Sequence, residues 1–416
     1  MSLVLLSAVL FNANAVYIGE FSGPITPASS AYFLEAITQA ENDSASCLII
    51  KMDTPGGLDE SMREITKRIL NASVPVVVYV APKGARAASA GVFILYASHV
   101  AAMAPGTNVG AAHPVGLGGE KQDSVMIGKV TNDAVAYLQS LAKERHRNIA
   151  WAEQAVRQSV SVDADTALKL GICEIIAPND QDLIAQLDGR QVVVNEDTLT
   201  LTVASAPVKK VVMSFRDRLL LIITNPNIAY ILLLLGIYGL FFELQHPGLI
   251  FPGVVGGICL ILAFYALHIL PVNYAGVALI VLSAIFFIIE IYLTSHGLAT
   301  IGGVIALVIG SVILFNSNVP FLRVSWEVIM LVAIIIVAFV VLMLIMGIGA
   351  QFRKPASGKE GMVGESGIAK TEIDSEGGTV FVHGELWNAV SDKPIKKNSR
   401  VKVVNASGVL LKVEPL

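Results

Sequence analysis

Cysteine and histidine patterns that would build a metal site are missing from this chain of 416 residues. The three cysteines, Cys47, Cys173 and Cys259, are far apart, so they form neither a metal-ligand motif nor a disulfide framework. The seven histidines never occur at the i, i+4 spacing of a helical zinc site. The sequence therefore predicts no metal and no other cofactor.

Charge is also scarce, since charged residues make up 15% of the chain and the formal net charge is −4. This balance gives no sign of a protein that binds polyanions. Hydrophobic residues reach 54% and the mean hydropathy is +0.67. A chain of this length that is so apolar is not a purely soluble protein, and its length suggests several domains.

The first fifteen residues, "MSLVLLSAVLFNANA", hold an apolar run followed by Ala13-Asn14-Ala15. This small-x-small ending is typical of a secretory signal peptide, although the usual basic start is missing. We interpret residues 1–15 as a signal peptide, with a first buried strand or an uncleaved anchor as the alternatives. A signal would place the following residues outside the cytoplasmic membrane.

Residues 16–205 are predicted to form an α/β domain, followed by a linker at 206–218. Apolar, β-rich runs such as "CLIIKMD" (47–53) and "VPVVVYV" (74–80) alternate with helical stretches such as 31–40 and 59–70. Continuous apolar strands between helices indicate a sheet that is buried on both faces. The run "AGVFILYASHVAAM" (90–103) is predicted to be one apolar helix.

Residues 219–350 form a membrane zone, because spans of roughly 20 apolar residues cross a bilayer. About five spans can be drawn, at 219–242, 249–270, 274–293, 297–315 and 327–350. The Asn225-Pro226-Asn227 sequence interrupts the first, which favours a start of that span nearer Ile228.

An internal repeat occurs in this zone, where "HPGLIFPGVVGG" (246–257) is echoed by "SHGLATIGGVIA" (295–306). A carboxylate precedes each copy, Glu243 and Glu290. The repeat favours a duplicated pair of helices, whose small residues allow close approach in lipid. Ionisable groups there can mark function, but the simpler interpretation is that both carboxylates are solvated at the headgroups.

Residues 351–416 are predicted to form a small all-β barrel of oligonucleotide-binding (OB) type, from four or five short strands of alternating polarity. Residues 359–416 contain eight Lys/Arg and eight Asp/Glu, a balance of zero. Without net positive charge, the electrostatic contribution that drives nucleic-acid binding is absent, so no nucleic-acid partner is expected. Trp387 is interpreted as a core or protein-partner contact.

A single hydroxyl, Ser89, stands among small residues in "GARAASAG" (84–91). It follows a predicted strand and precedes a predicted helix, whose first N–H groups point outward and stabilise negative charge. Small neighbours let a substrate backbone approach the hydroxyl. Ser89 therefore fits the nucleophile of an acyl-transfer reaction.

A pair of glycines, Gly56-Gly57 in "MDTPGGL" (52–58), also follows a predicted strand. Adjacent glycines leave their N–H groups sterically open, so they can donate to the oxyanion of a tetrahedral intermediate. Most such pairs are only turns, but a second strand-end motif with a serine about 30 residues later strengthens the case.

The motifs "MDTPGGL", "GARAASAGVFIL", "TNVGAAHPV" and "KVTNDAVAYLQSLAKERHRN" resemble those of the ClpP-class serine peptidases. The chain is more similar still to the membrane-anchored, long-form NfeD proteins, partners of stomatin-like proteins. The resemblance covers nearly the whole chain and implies a ClpP/crotonase-like domain, an all-α multi-span membrane domain and a C-terminal OB-like barrel.

The resemblance implies a Ser-Lys dyad in which Ser89 is the nucleophile and Lys129 the base, with Gly56 and Gly57 in the oxyanion hole. A lysine can act as a base because burial disfavours its charged form; the alternative is that Lys129 is a solvated residue at a helix start. His113, in "AAHPVG", is the alternative base, placed like the histidine of soluble ClpP proteases; otherwise it lines the cleft. His99 and His146 are expected on helices in structural or surface roles, and Asp53 as an acceptor that fixes its loop.

The resulting hypothesis is a membrane-anchored serine endopeptidase that cleaves apolar segments of membrane-associated proteins, including stomatin/SPFH-type partners. It would be a multi-pass cell-membrane protein and a homo-oligomer, with the peptidase domain extracytoplasmic and the barrel cytoplasmic. One alternative is an assembly or scaffold factor for stomatin-like proteins with little proteolysis. Another is a crotonase-type enzyme acting on acyl thioesters, which would need a carboxylate pair that the sequence near Ser89 does not supply.

Overall fold

A computed structural model describes residues 15–115, 124–245, 248, 250–293, 297–315, 322–351 and 362–416. The predicted signal peptide lies outside these ranges, apart from Ala15. Residues 1–334 and 335–416 are two compact units. The first unit contains an α/β domain and a set of apolar helices, and the second contains a β-barrel.

The α/β domain contains the following strands and helices, each numbered in chain order. Its strands are β1 Val16–Ser22, β2 Cys47–Asp53, β3 Val76–Val80, β4 Arg86–Ala88, β5 Val100–Met103, β6 Asn108–Gly110, β7 Ser161–Asp163, β8 Ile175–Ile176, β9 Gln191–Val194, β10 Asp197–Thr200 and β11 Val208–Val211. Its helices are α1 Pro27–Asn42, α2 Asp59–Leu70, α3 Ala90–Ala97, α4 Ser124–Glu144, α5 Ile149–Arg157, α6 Ala164–Lys169 and α7 Asp180–Leu187.

The central sheet has six parallel strands in the order β11-β1-β2-β3-β5-β8. Alternate side chains of β2 enter two different cores: Leu48 and Ile50 pack with the helices of one face, and Ile49 packs on the other. The sheet is therefore buried on both faces, as the continuous apolar runs predict. A smaller sheet has the strand order β4-β6-β7. Its first strand, β4, follows β3 in the chain and leads directly into Ser89.

The helix predicted across residues 90–103 is wrong in its second half. Helix α3 ends at Ala97, and Val100–Met103 is β5, a central strand that pairs with β3 and β8. A continuous apolar run does not distinguish a buried helix from a buried strand by its periodicity. His99 and His146 accordingly lie just beyond helix ends rather than on helices.

The apolar helices that follow are α8 Phe215–Ile223, α9 Pro226–Gln245, α10 Phe251–Ile269, α11 Tyr274–Tyr292, α12 Leu298–Leu314 and α13 Trp326–Gln351. By length and composition, α9 and α10 can each cross a bilayer; the apolar stretches Tyr274–Glu290, Leu298–Leu314 and Trp326–Leu342 are shorter. Pro226 is the first residue of α9, where its missing N–H has no intrahelical acceptor to lose. The interruption at Asn225-Pro226-Asn227 therefore separates two helices.

The repeated sequences lie in two helical hairpins, α9–α10 and α11–α12. In the first, a Cβ placed on Gly239 would lie 2.8 Å from the Cα of Gly256, and in the second a Cβ on Gly276 would lie 2.7 Å from the Cα of Leu314. Each hairpin therefore depends on a position without a side chain, where the two backbones approach closely.

The carboxylates of the repeat bind the chain that follows them. Glu290 is only 2% exposed, and its two oxygens accept hydrogen bonds from the N–H groups of Gly297, at 2.9 Å, and Thr300, at 3.1 Å. Glu243 accepts from the N–H of Gly248 at 3.4 Å. The interpretation of Glu290 as a solvated headgroup residue is therefore wrong: it satisfies N–H groups at the start of α12, which have no partner within the helix.

The second compact unit contains a closed barrel with the strand order β12-β13-β14-β16-β15. Its strands are β12 Ser366–Ala369, β13 Gly378–Val382, β14 Glu385–Val390, β15 Arg400–Ser407 and β16 Leu410–Pro415. Alternating residues such as Val380, Val382 and Val401 fill the interior, and half-buried Trp387 packs against them. The predicted succession of α/β domain, helical membrane region and small barrel is confirmed.

Candidate active site

Ser89 lies in a turn between β4 and α3, where it precedes the first helical residue. Its backbone angles are φ 51° and ψ −113°, a region that residues other than glycine rarely adopt, and its side chain does not cap the helix. Strained backbone of this kind persists where the surrounding structure holds it, often at functional sites. The hydroxyl is therefore presented at the N-terminal end of α3 without being used by the helix itself.

The loop after β2 is bound directly to the segment that leads into Ser89. Thr54 donates its N–H to the carbonyl of Arg86 at 2.8 Å and accepts from the N–H of Ala88 at 3.1 Å. The Asp53 carboxylate accepts from the N–H of Arg86 at 3.0 Å, the loop-fixing role predicted from the sequence. These bonds place the two glycines beside the serine.

Gly56 and Gly57 have different positions beside Ser89. A Cβ on Gly56 would lie 2.6 Å from the Ser89 Cβ, so only glycine fits there, but the Gly56 N–H already donates to Thr54 Oγ1 at 3.1 Å. Gly57 lines the cleft and forms a parallel bridge with Ile25.

In that bridge Ile25 is bonded to the neighbours of Gly57, since its N–H donates to Gly56 and its carbonyl accepts from Leu58. The N–H of Gly57 itself therefore points away from Ile25. The N–H of Ala90, the first residue of α3, has no intrahelical acceptor. Gly57 and Ala90 both line the cleft together with Ser89.

A cleft of about 320 Å³ opens at Ser89. That volume lies at the lower end of the range for ligand pockets. Helices α2, α3 and α4 and the chain after β6 supply most of its walls. The apolar side chains of the lining include Leu58, Met62, Phe93, Val115, Val130 and Ala134. A lining of this kind suits apolar side chains of a bound peptide.

His113 also lines the cleft, and it is half-buried. Its Nδ1 lies 2.9 Å from the carbonyl oxygen of Val156. Because a carbonyl oxygen only accepts, Nδ1 carries the proton, and in the neutral ring Nε2 is the unprotonated nitrogen. The structure therefore brings His113 into the same cleft as Ser89 in a tautomer that could accept a proton.

Lys129 lies on the second turn of α4 and is exposed. It precedes Val130 by one residue and Asp133 by four, and both of these line the cleft. Residues four apart share a helix face, so Lys129 borders the cleft without forming its wall. Neighbouring side chains on this part of α4 are apolar and also exposed, namely Val125, Met126, Ile127 and Val130.

Two carboxylates that sequence inspection near Ser89 did not find are also in the cleft wall. Asp59 of α2 and Asp133 of α4 both bind Arg63, the first at 2.8 Å, and the Arg63 guanidinium lies 4.5 Å from the centroid of the Tyr137 ring. The sequence next to Ser89 supplies no carboxylate, but the fold brings these two into the cleft from α2 and α4. Both are paired with Arg63: the pair with Asp59 lies within α2, and the pair with Asp133 connects α2 to α4.

The far end of α3 is held by two arginines that sequence reasoning missed. Arg147 Nη1 donates to the carbonyl oxygens of Leu95, Tyr96 and Ser98 at 2.8–3.0 Å, and its other nitrogens bind Glu174 at 2.8 and 2.9 Å. Arg145 donates to the carbonyl of Ala97 at 3.0 Å. The carbonyls at the C-terminal end of α3 are thereby satisfied, which fixes the helix that carries Ser89.

Three family descriptions match successive parts of the chain. They are the N-terminal domain of NfeD1b over residues 16–196, the NfeD integral membrane domain over 227–346, and the NfeD-like C-terminal, partner-binding domain over 359–415.

Two relatives match almost the whole chain. The membrane-bound protease PH1510 of Pyrococcus horikoshii is 38% identical over 98% of this chain and 95% of its own length. The membrane protein NfeD1b of Bacillus subtilis is 28% identical over the same shares.

Solved structures similar to this chain cover its N-terminal half. One is the 1510-N membrane-bound stomatin-specific protease, as a lysine-to-alanine variant in complex with a substrate peptide. It is 37% identical, covers 50% of this chain and 95% of its own, and has a TM-score of 0.47. Another, from Pyrococcus horikoshii, is described as a protease specific for a stomatin homolog and has 37% identity, 51% and 99% coverage and a TM-score of 0.45.

Proposed function

This chain belongs to the NfeD family and is a membrane-bound protease, and we propose that Ser89 is its nucleophile and Lys129 its general base. The observation that carries the proposal is the position of Ser89. Its hydroxyl does not cap α3, and Ser89 lines an apolar cleft at the N-terminal end of that helix. A scaffold role without proteolysis has no comparable support.

In the proposed reaction, Ser89 Oγ attacks the carbonyl carbon of a peptide bond as Lys129 Nζ takes the hydroxyl proton. The carbonyl oxygen becomes an oxyanion between the N–H groups of Gly57 and Ala90, and each such donor contributes roughly 3–4 kcal/mol to the transition state. Lys129 then gives the proton to the leaving amine. Water hydrolyses the acyl-enzyme by the same route, and Ser89 is restored.

The oxyanion hole in this proposal differs from the one predicted from the sequence. Gly56 donates its N–H to Thr54 Oγ1, so we assign the second donor to Ala90 rather than to Gly56. Gly56 has a steric role instead, because its missing side chain leaves room for Ser89.

The proposed base must be covered before it can work. A lysine loses its proton readily only where burial disfavours the ammonium, and Lys129 is exposed in the free chain. The exposed apolar side chains around it would pack against a peptide entering the cleft, or against a second copy of a homo-oligomer. Either would remove water from Lys129 at the moment of the reaction.

The base is tested by comparing Lys129→Ala with His113→Ala in a peptide-cleavage assay on the full chain. We expect Ser89→Ala and Lys129→Ala each to lower kcat by at least about 10³-fold, as removal of catalytic serines and bases does. His113→Ala should retain most of the activity, and Lys143→Ala, on the same helix, is the matched lysine control. An active Lys129→Ala beside a folded but inactive His113→Ala would assign the base to His113.

The proposed substrates are apolar segments of membrane-associated proteins, including stomatin-like partners. The apolar cleft supports the first point, and a protease attached to the bilayer meets membrane-proximal chains at high effective concentration. The relative from Pyrococcus horikoshii that is described as a protease specific for a stomatin homolog supports the second. The barrel, which matches a partner-binding domain, would recruit a protein rather than nucleic acid.

We propose that residues 16–205 lie outside the cytoplasmic membrane and the barrel inside. The signal-like N-terminus supports this topology, as does the odd number of spans obtained by counting one crossing for each of the apolar helices α9 to α13. Lys393→Cys places a thiol on an exposed barrel residue. An impermeant maleimide should leave this thiol unlabelled in intact cells and label it after lysis, whereas labelling in intact cells would reverse the assignment.

A further inference from the structure

Leu322 lies in the loop between α12 and α13, shortly before α13 begins, and its side chain is only 4% exposed. Three residues later, Ser325 donates its N–H to Asn227 Oδ1 at 2.8 Å, at the start of α9. Helix α8, which immediately precedes α9, packs against α1 of the α/β domain. The loop is therefore anchored at the point where the apolar helices join the α/β domain.

Leu322 lines the same cleft as Ser89. The other residues that line the cleft come from the α/β domain. Leu58, Met62 and Val130 among them also have large apolar side chains. A buried leucine in this lining means that one apolar surface of the cleft is contributed by the membrane domain, far along the chain from the nucleophile.

The size of the cleft shows whether Leu322 blocks the substrate position or forms part of the cleft wall. A side chain that blocked the site would leave little room beside Ser89. The cleft instead keeps about 320 Å³ with Leu322 in place. Leu322 is therefore part of the wall and does not occupy the position of a substrate.

We propose that Leu322 is a specificity-determining residue, which forms one wall of an apolar subsite beside Ser89. The cleft is then complete only in a chain that includes its membrane domain. A large apolar side chain of the peptide would pack against Leu322, whereas alanine at that position would leave a gap. This inference rests on the proposed function, whose substrate preference it explains.

The first test uses the full chain in proteoliposomes and peptides that carry Ala, Leu or Phe at each position around the scissile bond. Leu322→Ala should lower the preference for Leu over Ala at one position, measured as a ratio of kcat/KM, by about tenfold, since loss of methylene contacts typically changes discrimination by 10-fold or more. Val324→Ala, in the same loop, is the matched control and should leave every ratio within about twofold. Unchanged ratios for Leu322→Ala at all positions would overturn the proposal.

The second test does not need catalysis. In a Ser89→Ala background, Leu322→Cys and Val324→Cys are labelled with a maleimide with and without a Leu-containing peptide, and the parent chain gives the blank for Cys259. The peptide should slow labelling at position 322 by at least about fivefold and leave position 324 unchanged. Equal rates with and without peptide at position 322 would refute a place in the subsite. If Ser89→Ala cleaves like the wild type, the proposed function is wrong, while peptide protection still decides where Leu322 lies.

Discussion

The two ends of helix α3 differ in whether their backbone groups have protein partners. At the N-terminal end the first N–H groups face an open cleft, and the neighbours of Ser89 are glycines and alanines. At the C-terminal end, Arg145 and Arg147 take up the carbonyls of four consecutive residues. Free N–H groups at a helix N-terminus can bind a developing negative charge, and satisfied carbonyls at the other end cannot, so the difference favours the open end as the reactive one.

A side chain placed at the open end should have the largest effect. Gly56→Ala brings a Cβ within 2.6 Å of the Ser89 Cβ, so either the serine or the loop must move. Because displacement of a reacting group by 1 Å can cost 10²-fold, we expect cleavage to fall by at least about 10²-fold. Binding of a fluorophosphonate probe to Ser89, followed by a peptide-cleavage assay, measures the change.

Gly23→Ala is the control for backbone strain. Gly23 has φ +134°, near the +118° of Gly56, but a Cβ there meets no atom within 4 Å. Both variants pay the cost of an unfavourable φ, and only Gly56→Ala adds the clash. If the two variants lost activity equally, strain rather than contact with Ser89 would be the cause.

Arg147→Met removes the side chain that satisfies the carbonyls at the C-terminal end of α3. The change leaves three carbonyls without their donor and removes the partner of Glu174, so we expect the free energy of unfolding of the α/β domain to fall by roughly 3–5 kcal/mol. Urea-dependent proteolysis of the detergent-solubilised chain measures it. Arg157→Met breaks an exposed arginine–glutamate pair in the same domain and should cost less than about 1 kcal/mol. Similar losses for the two variants would mean that Arg147 does not hold α3.

A smaller effect is expected on the pH dependence of folding stability, through His99, which lies just after the C-terminal end of α3. Burial, together with the charges of Arg145 and Arg147, lowers the pKa of His99 to about 3. His99 Nδ1 accepts the N–H of Val76 at 3.1 Å, so the ring is neutral in the folded domain. Because the unfolded chain takes up a proton below pH 6.5 and the folded domain does not, stability falls as the pH decreases from 6.5 towards 3, by up to about 1.4 kcal/mol per pH unit.

His99→Asn keeps an acceptor for Val76 but cannot take up this proton. Between pH 6.5 and 5, the wild type should therefore lose about 2 kcal/mol more stability than the variant. His146→Asn, at an exposed site, serves as the matched control and should follow the wild type. Parallel pH profiles for His99→Asn and the wild type would show that His99 takes up its proton equally in the folded and the unfolded chain, so that folding does not lower its pKa.

Local pattern predicted the elements that carry this comparison. The strand expected at residues 47–53 and the helix expected at 59–70 have those bounds in the structure, because apolar runs and amphipathic spacing are local signals. The glycines and Ser89 stand at strand ends, as predicted, since the carboxyl ends of neighbouring parallel strands lie at the same edge of the sheet.

Contacts between distant parts of the chain could not be predicted in this way. Arg147 reads as one basic residue among several at the end of a helix, and its burial depends on carbonyls some fifty residues earlier. Leu322 reads as one more apolar residue between two spans, and Asp59 and Asp133 meet only through Arg63. The sequence left open whether Lys129 is buried or solvated, because a helix start shows its residue types but not what covers them; the structure has it exposed.

The two margins of the central sheet determine where another extended chain can pair with it. On one side the last strand, β8, is only two residues long, and on the other β11 carries Lys209 and Lys210 in the sequence "VKKV". Very short or lysine-bearing edge strands are poor templates for the addition of a further strand. The proposed substrates are apolar segments, and the α/β domain exposes little sheet edge with which such segments could pair.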